Sequence, residues 1–149
     1  MLSFLLYGGF MNDNTITIGE VLSLVDSIKP NTRTAEEKIL WLNNIDRMVY
    51  EEIIKAHEGF ENVEFDGYDE NTPQTQTLLI PKHYGADIYR FFIETQIDLA
   101  NAEYSKYNTS MQLFQMAYNN YAQAYTREHM PLANAVFKYP YSGGSVNAF

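Results

Sequence analysis

The segment from Tyr104 to Tyr125 carries an apolar or aromatic side chain at every third or fourth position, without interruption. These positions are Tyr104, Tyr107, Met111, Phe114, Tyr118, Tyr121 and Tyr125. Because an α-helix turns once in about 3.6 residues, this spacing places all of them on one side of a helix. Aromatic residues at such spacing most often form a core. We therefore predict a helix whose central members, from Met111 to Tyr121, pack inward, with packing between subunits as the main alternative.

The same spacing continues upstream of Tyr104, through Ala100, Ile97, Ile93 and Tyr89. One unbroken helix over residues 84–129 would be about 70 Å long at ~1.5 Å per residue, which exceeds what a compact domain usually contains. Thr109 and Gln112 match a capping box, and the preceding asparagine is suited to a turn. We therefore predict a helical hairpin that turns between Asn101 and Ser110, with a continuous helix as the alternative.

Two further helices are predicted in the first third of the chain. Thr17 and Thr34 each stand three residues before a glutamate, which is the spacing of a capping box. The predicted buried stripes are Ile18, Val21, Leu22, Val25 and Ile28 in the first helix, and Ile39, Leu42, Ile45, Val49 and Ile53 in the second. Pro30 should end the first helix, and Gly59 is the predicted C-cap of the second.

Residues 60–81 have no helical spacing and contain Gly67, Pro73 and Pro81. From Ala56 to Pro81 the sequence has no lysine or arginine but has six acidic residues. We predict a long acidic loop, with a short β-hairpin between residues 62–65 and 77–80 as one arrangement of it. A loop of this length in a compact domain usually has a role in function or assembly.

Composition limits the classes of function. At 149 residues with a formal net charge of -9, the chain is expected to form one acidic domain that does not bind nucleic acid specifically. The absence of cysteine from the sequence excludes disulfide frameworks and thiolate chemistry. No apolar run reaches the length of a membrane span, and the first residues lack the basic start of a signal peptide.

No residue pattern in the sequence indicates catalysis, and we predict a protein that is not an enzyme and needs no cofactor or metal. His57, His83 and His129 are not arranged as metal ligands, so we expect them at helix ends or facing solvent. The acidic loop lacks the order of a calcium-binding loop. A helical enzyme would need a set of titratable groups in a pocket, and the sequence shows no candidate set.

The last residues, 132–149, carry Phe137, Tyr139, Tyr141 and Phe149 around Pro140 and a glycine pair. Such a segment has no periodicity by which it could bury itself, and aromatic residues at this density favour docking on a partner. We therefore divide the chain into an N-terminal arm (residues 1–15), a mainly α bundle of about four helices (16–131) and an extended C-terminal tail (132–149).

Two stretches, residues 17–53 and 78–131, resemble proteins encoded beside portal and capsid genes in tailed phages. The second stretch carries the resemblance in LLIP followed by IY, in QIDLANAE, and in the closing REHMP. On these residues the chain resembles the head–tail connector family, also called head completion or adaptor proteins. The arm before residue 16 and the tail after Pro131 lie outside the resemblance.

The resemblance implies a structural virion protein, assembled in the host cytoplasm and located in the neck of the particle. Its copies would form a closed ring, typically a dodecamer, that binds the portal protein and extends the DNA channel toward the next connector or tail protein. DNA would pass through without specific binding. The alternative is a non-enzymatic helical interaction or regulatory module that acts as a monomer or dimer.

The resemblance also implies roles for residues outside the core. The tail aromatics Phe137, Tyr139, Tyr141 and Phe149 would anchor the portal contact, because aromatic anchors dominate interface energies. Candidates for contacts between subunits are Phe4, Phe10, Tyr107 and Tyr125. The acidic loop, with Glu64, Asp66, Asp69 and Glu70, would face the channel or the next tail component.

Overall fold

Capping boxes begin both N-terminal helices in the computed structural model, which describes residues 14–132 of the chain. Thr17 Oγ1 accepts a hydrogen bond of 3.2 Å from the backbone N–H of Glu20, whose carboxylate accepts one of 3.0 Å from the Thr17 N–H. Thr34 and Glu37 repeat this pair of bonds, at 3.1 Å each. Each pair satisfies two donors that a helix start leaves without a partner.

Within residues 14–132 the fold contains four α-helices, so the predicted mainly α bundle is confirmed. They are α1 (Ile18–Ile28), α2 (Ala35–Glu52), α3 (Lys82–Ala100) and α4 (Tyr104–Glu128). Residues 1–13 and 133–149, which hold most of both predicted arms, lie outside the described residues. The predicted contact residues Phe4, Phe10, Phe137, Tyr139, Tyr141 and Phe149 lie there too.

The two C-terminal helices form the predicted hairpin, but the turn lies earlier than the predicted cap. Residues 101–103 reverse the chain, with Ala102 at a φ of 58° and the Glu103 N–H donating to the Asp98 carbonyl at 2.9 Å. Thr109 is therefore no cap: it lies inside α4, and its hydroxyl donates to the Ser105 carbonyl at 3.3 Å. The observed turn thus lies within the predicted range 101–110, whereas the predicted cap at Thr109 is wrong, because the chain has already reversed before it.

The core follows the predicted stripes closely. The members of the α2 stripe and Tyr89, Ile93 and Ile97 of α3 are all buried. On α4, Phe114 and Tyr121 are buried, while Met111 and Tyr118 are partly buried against the same core. Ile28 is the exception, since it lies at the end of α1 and is 51% exposed.

The helices are arranged around α3. Helix α3 packs against α4 on one side and also contacts α1 and α2, whereas the backbones of α1 and α4 do not approach each other closely. Helix α2 ends at Glu52 and passes into a 3₁₀ turn over Ile54–Ala56, so Gly59 is not its C-cap. Instead Gly59, with a φ of +92°, leads into a second 3₁₀ turn over Phe60–Asn62.

The long loop is present, but its predicted hairpin is wrong. Residues 62–65 and 77–80 do not pair; Thr77 instead forms an antiparallel bridge with Thr17 at the start of α1. The backbone N–H groups of Ile18 and Gly19 donate to the carbonyls of Gln76 and Gln74, at 3.0 and 2.8 Å. The backbone N–H groups at the first turn of α1, which have no partner within the helix, therefore bind the end of the loop.

Gly85, in the first turn of α3, has no room for a side chain. A Cβ there would lie 2.9 Å from the Ile80 carbonyl oxygen and 3.0 Å from the ring of Tyr89. We expect Gly85→Ala to lower the free energy of unfolding by about 1–2 kcal/mol, because the steric cost exceeds the gain in helix propensity. Denaturant unfolding measures this change.

Gly19→Ala is the matched comparison for that experiment. Its Cβ would lie 3.2 Å from the Gln74 carbonyl oxygen, so we expect a smaller loss. Stabilisation by Gly85→Ala, or a larger loss at Gly19, would contradict the close approach of α3 to the end of the loop.

Candidate interaction surfaces

Asp46, in the middle of α2, is a fully buried carboxylate at the centre of the polar contacts of the fold. It accepts hydrogen bonds from the Tyr68 hydroxyl at 2.6 Å, from the Leu79 backbone N–H at 3.0 Å and from the Tyr89 hydroxyl. The Tyr89 hydroxyl in turn accepts from the Ile80 N–H at 2.9 Å. One side chain thus connects α2, α3 and two points of the acidic loop.

Burial governs the ionisation of this cluster. Burial raises the pKa of Asp46 from 3.8 to about 6, although the hydrogen bonds from Tyr68, Tyr89 and Leu79 act in the opposite direction. The pKa values of Tyr68 and Tyr89 are raised as well, by burial first and by the neighbouring Asp46 charge second. The tyrosines therefore stay protonated and donate to Asp46 at neutral pH.

The acidic loop presents its carboxylates to solvent. Glu64, Asp66, Asp69 and Glu70 are all exposed. Asp69 organises its own turn, since its carboxylate accepts from the Asn71 N–H at 2.8 Å. Among residues 14–132, no three histidine or acidic side chains converge as metal ligands. The loop is thus an acidic surface fixed at its base by Tyr68, and its orientation toward a channel or a tail component stays a prediction.

A second buried carboxylate, Asp98 of α3, joins two other parts of the fold. Its Oδ1 lies 2.7 Å from the Lys29 ammonium just after α1, and its Oδ2 accepts from the Ser110 hydroxyl of α4 at 3.0 Å. Asp98 itself is 0% exposed on α3. Lys29 compensates the charge that burial would otherwise penalise. This cluster fixes the end of α1 and the start of α4 against the same helix.

Sequence reasoning missed both buried carboxylates. Each directly follows a buried isoleucine, Ile45 in α2 and Ile97 in α3, and so adjoins an apolar stripe. An acid at the edge of an apolar stripe is the signal that could have identified them. Lys38, which is 3% exposed and pairs with Asp26 at 2.7 Å, was missed as well. It also adjoins an apolar stripe, because it directly precedes Ile39.

The histidines lie near helix ends, but His57 does not face solvent. It is 2% exposed, and its Nδ1 lies 2.6 Å from the Ile53 carbonyl at the end of α2. Its Nε2 lies 3.1 Å from the Thr126 hydroxyl of α4. His83 is exposed and contacts Asn14, and His129 stacks on Tyr125 with 3.9 Å between ring centroids.

The residues at which the two arms join the helical bundle are hydrogen-bonded to it. The Asn14 carbonyl accepts from the Lys82 N–H at 3.0 Å, where the N-terminal arm joins the bundle. The Leu132 N–H donates to the Ala56 carbonyl at 2.9 Å, beside an antiparallel bridge between His57 and Pro131. Both arms therefore start from fixed positions.

The side of α4 that faces away from the core carries no charge over most of its length. Residues 107–126 include no acidic or basic side chain. Leu113 is 41% exposed and Met116 is 68% exposed, and both are surrounded by amides and hydroxyls. We call this surface the outer face of α4; it consists of Thr109, Gln112, Leu113, Met116 and Asn120.

The predicted subunit contacts Tyr107 and Tyr125 lie on the other side of α4. Both are partly buried rather than exposed. Tyr125 packs within the subunit, with its ring 5.1 Å from His57 and 5.9 Å from Tyr121. A role for either tyrosine between subunits stays a prediction.

A groove runs along the exposed side of α1 and is bounded by the end of the acidic loop. Its volume is ≈ 720 Å³. We call it the α1 groove; it is lined by Thr17, Gly19, Glu20, Ser23, Leu24, Ser27, Gln74 and Thr75. Glu20 is the one ionisable residue among them. The groove is thus a second surface with little charge.

Comparison of the chain with protein-family models, with curated proteins and with solved structures finds no match. In the part of the chain that the structure describes, no helix is both long and apolar enough to span a membrane.

The raised pKa of Asp46 gives a defined dependence of stability on pH. Between about pH 4 and pH 6 the folded state binds a proton at Asp46 that the unfolded state has released, so the free energy of unfolding falls as pH rises. We expect the difference in this free energy between the wild type and Asp46→Asn to fall by about 2 kcal/mol from pH 4 to pH 7. Denaturant titrations at each pH measure it.

Asp87→Asn is the control for that titration, because it removes the same charge from an exposed position on α3. We expect its difference from the wild type to change much less over the same range. If the difference in unfolding free energy between the wild type and Asp46→Asn stays constant or rises with pH, burial does not raise the pKa of Asp46.

Proposed function

We propose that this protein is a structural subunit of the head–tail connector of a tailed phage. Its copies form a ring below the portal that links head to tail and extends the DNA channel. The protein acts by assembly and catalyses no reaction. The resemblance of residues 17–53 and 78–131 to connector proteins supports this assignment.

The observation that carries the proposal is the uncharged outer face of α4. In a chain with a net charge of -9, twenty consecutive helical residues lack any charge, and Leu113 and Met116 among them are exposed. Depletion of charge around exposed apolar residues is typical of the centre of a protein–protein interface.

The fixed roots of the two arms agree with a role in linking neighbouring rings. The arms leave the bundle at Asn14 and Leu132, both hydrogen-bonded to the body. An arm that starts from a fixed point loses less conformational entropy when it docks than one on a flexible linker. In this proposal the C-terminal tail reaches the portal through Phe137, Tyr139 and Tyr141, with Phe149 at its end.

The acidic surface suits a channel through which DNA slides. Carboxylates repel the phosphate backbone, so a lumen lined by Glu64, Asp66 and their neighbours would not retain DNA by counterion release. The exposure of these side chains supports this arrangement.

Native mass spectrometry and negative-stain imaging of the full chain test the proposal. We expect a closed ring of many copies, alone or on the portal protein encoded in the same genome. A protein that stays monomeric or dimeric at every concentration, and also ignores the portal, would instead be a helical interaction module.

Deletion of residues 133–149 tests the role of the tail. We expect the helical signal and the unfolding midpoint to stay unchanged while portal binding is lost. The matched control keeps the tail length and replaces only the four aromatic residues with alanine. If both variants bind the portal with the affinity of the wild type, the tail is not the portal anchor.

A further inference from the structure

We propose that the outer face of α4 in one copy of the protein packs into the α1 groove of the next copy. This proposal deepens the proposed connector function and rests on it, because it names the two surfaces that join neighbouring subunits in the ring. The sequence-based candidates Tyr107 and Tyr125 are not part of this contact.

The outer face of α4 provides the ridge of the interface. Leu113 and Met116 are one turn apart and are 41% and 68% exposed. Their apolar surface is therefore removed from water only when a partner covers it. Gln112 and Asn120 flank them and offer both donors and acceptors. An apolar centre with an amide rim is the usual anatomy of a protein interface.

The α1 groove, which is shallow and open, provides the opposing surface. Ser23 and Ser27 are one turn apart, and their small side chains leave room beside α1 for a second helix, whereas Gly19 is already covered by Gln74. Leu24 is partly buried and offers an apolar contact. The serine hydroxyls and the Gln74 amide can pair with the amides of α4.

The partner is a second copy of this chain, and two acidic copies can approach closely only where carboxylates are few. Two copies that each carry -9 repel wherever their carboxylates meet. The outer face of α4 has no charged residue, and the α1 groove has only Glu20, whose carboxylate already accepts from the Thr17 N–H and lies 3.9 Å from Lys82. These two surfaces therefore let acidic copies approach with the least repulsion.

The positions of the two surfaces permit a ring. The backbones of α1 and α4 do not approach each other closely, and α3 contacts both helices. A contact between two different surfaces is heterologous, so each copy can bind one neighbour through α4 and another through α1. Such a chain of contacts closes into a ring when the rotation between copies allows it.

Charge insertion tests the two surfaces separately. We expect Met116→Glu and Ser23→Glu each to weaken association by at least about 30-fold, the change typical of a central interface residue. Leu40→Glu is the matched control, because it also places a carboxylate at an exposed apolar position, 48% exposed on α2. It should assemble like the wild type, and circular dichroism should show all three variants folded.

Cysteine crosslinking tests the pairing, since the sequence has no cysteine of its own. With a short bismaleimide, the double variant Met116→Cys, Ser23→Cys should give a ladder of covalent oligomers. A mixture of the two single variants should give dimers only. Either single variant alone should give none, whereas dimers of Met116→Cys alone would show α4 packed on α4 and overturn the proposal.

The outcomes separate this inference from the proposed function. A wild type that never assembles, with or without portal, overturns both. A ring that forms equally well with Met116→Glu and Ser23→Glu overturns only the named surfaces. A ring that tolerates Ser23→Glu but not Met116→Glu shows that α4 does not bind the α1 groove. The groove would then be open to another occupant, such as the N-terminal arm.

Discussion

The carboxylate of Asp46 is the interaction on which the arrangement of the fold depends. The loop of residues 63–81 has no regular structure and cannot hold itself in place, yet Tyr68 and Leu79 both donate to this single side chain. Tyr89 adds α3 to the same centre. Burying the charge is costly, as the raised pKa indicates, and three directed hydrogen bonds offset that cost while defining one position for the loop.

The sequence predicts the parts of this fold that depend on local spacing. Capping boxes at Thr17 and Thr34, the stripes of α2 and α4, and the reversal between α3 and α4 all follow from contacts within a few residues. The end of the loop does not, because its partner is the first turn of α1, about sixty residues away in the chain. The capping-box spacing at Thr109 gave a wrong cap for a related reason, because the chain already reverses at residues 101–103 and Thr109 lies inside α4.

The sequence indicated only part of the candidate surfaces. The stripe from Tyr104 to Tyr125 drew attention to the aromatic side of α4, which the structure largely uses for the core. The opposite side reads in sequence as a run of amides and hydroxyls, and it becomes a surface only when α3 is known to cover the other side. The α1 groove could not be predicted, because Gln74 and Thr75 reach α1 through the loop.

Asp98 relates the two proposed subunit surfaces to each other. Its bonds to Lys29 and Ser110 fix the end of α1 and the start of α4 on one helix, and these are the helices that carry the groove and the ridge. In a ring built from heterologous contacts, the angle between the two surfaces of a subunit sets the rotation from each copy to the next. Because a packed core and a buried ion pair resist small deformations, this angle is a fixed property of the fold. The same polar cluster that stabilises the hairpin would therefore also be one determinant of the number of copies at which the ring closes.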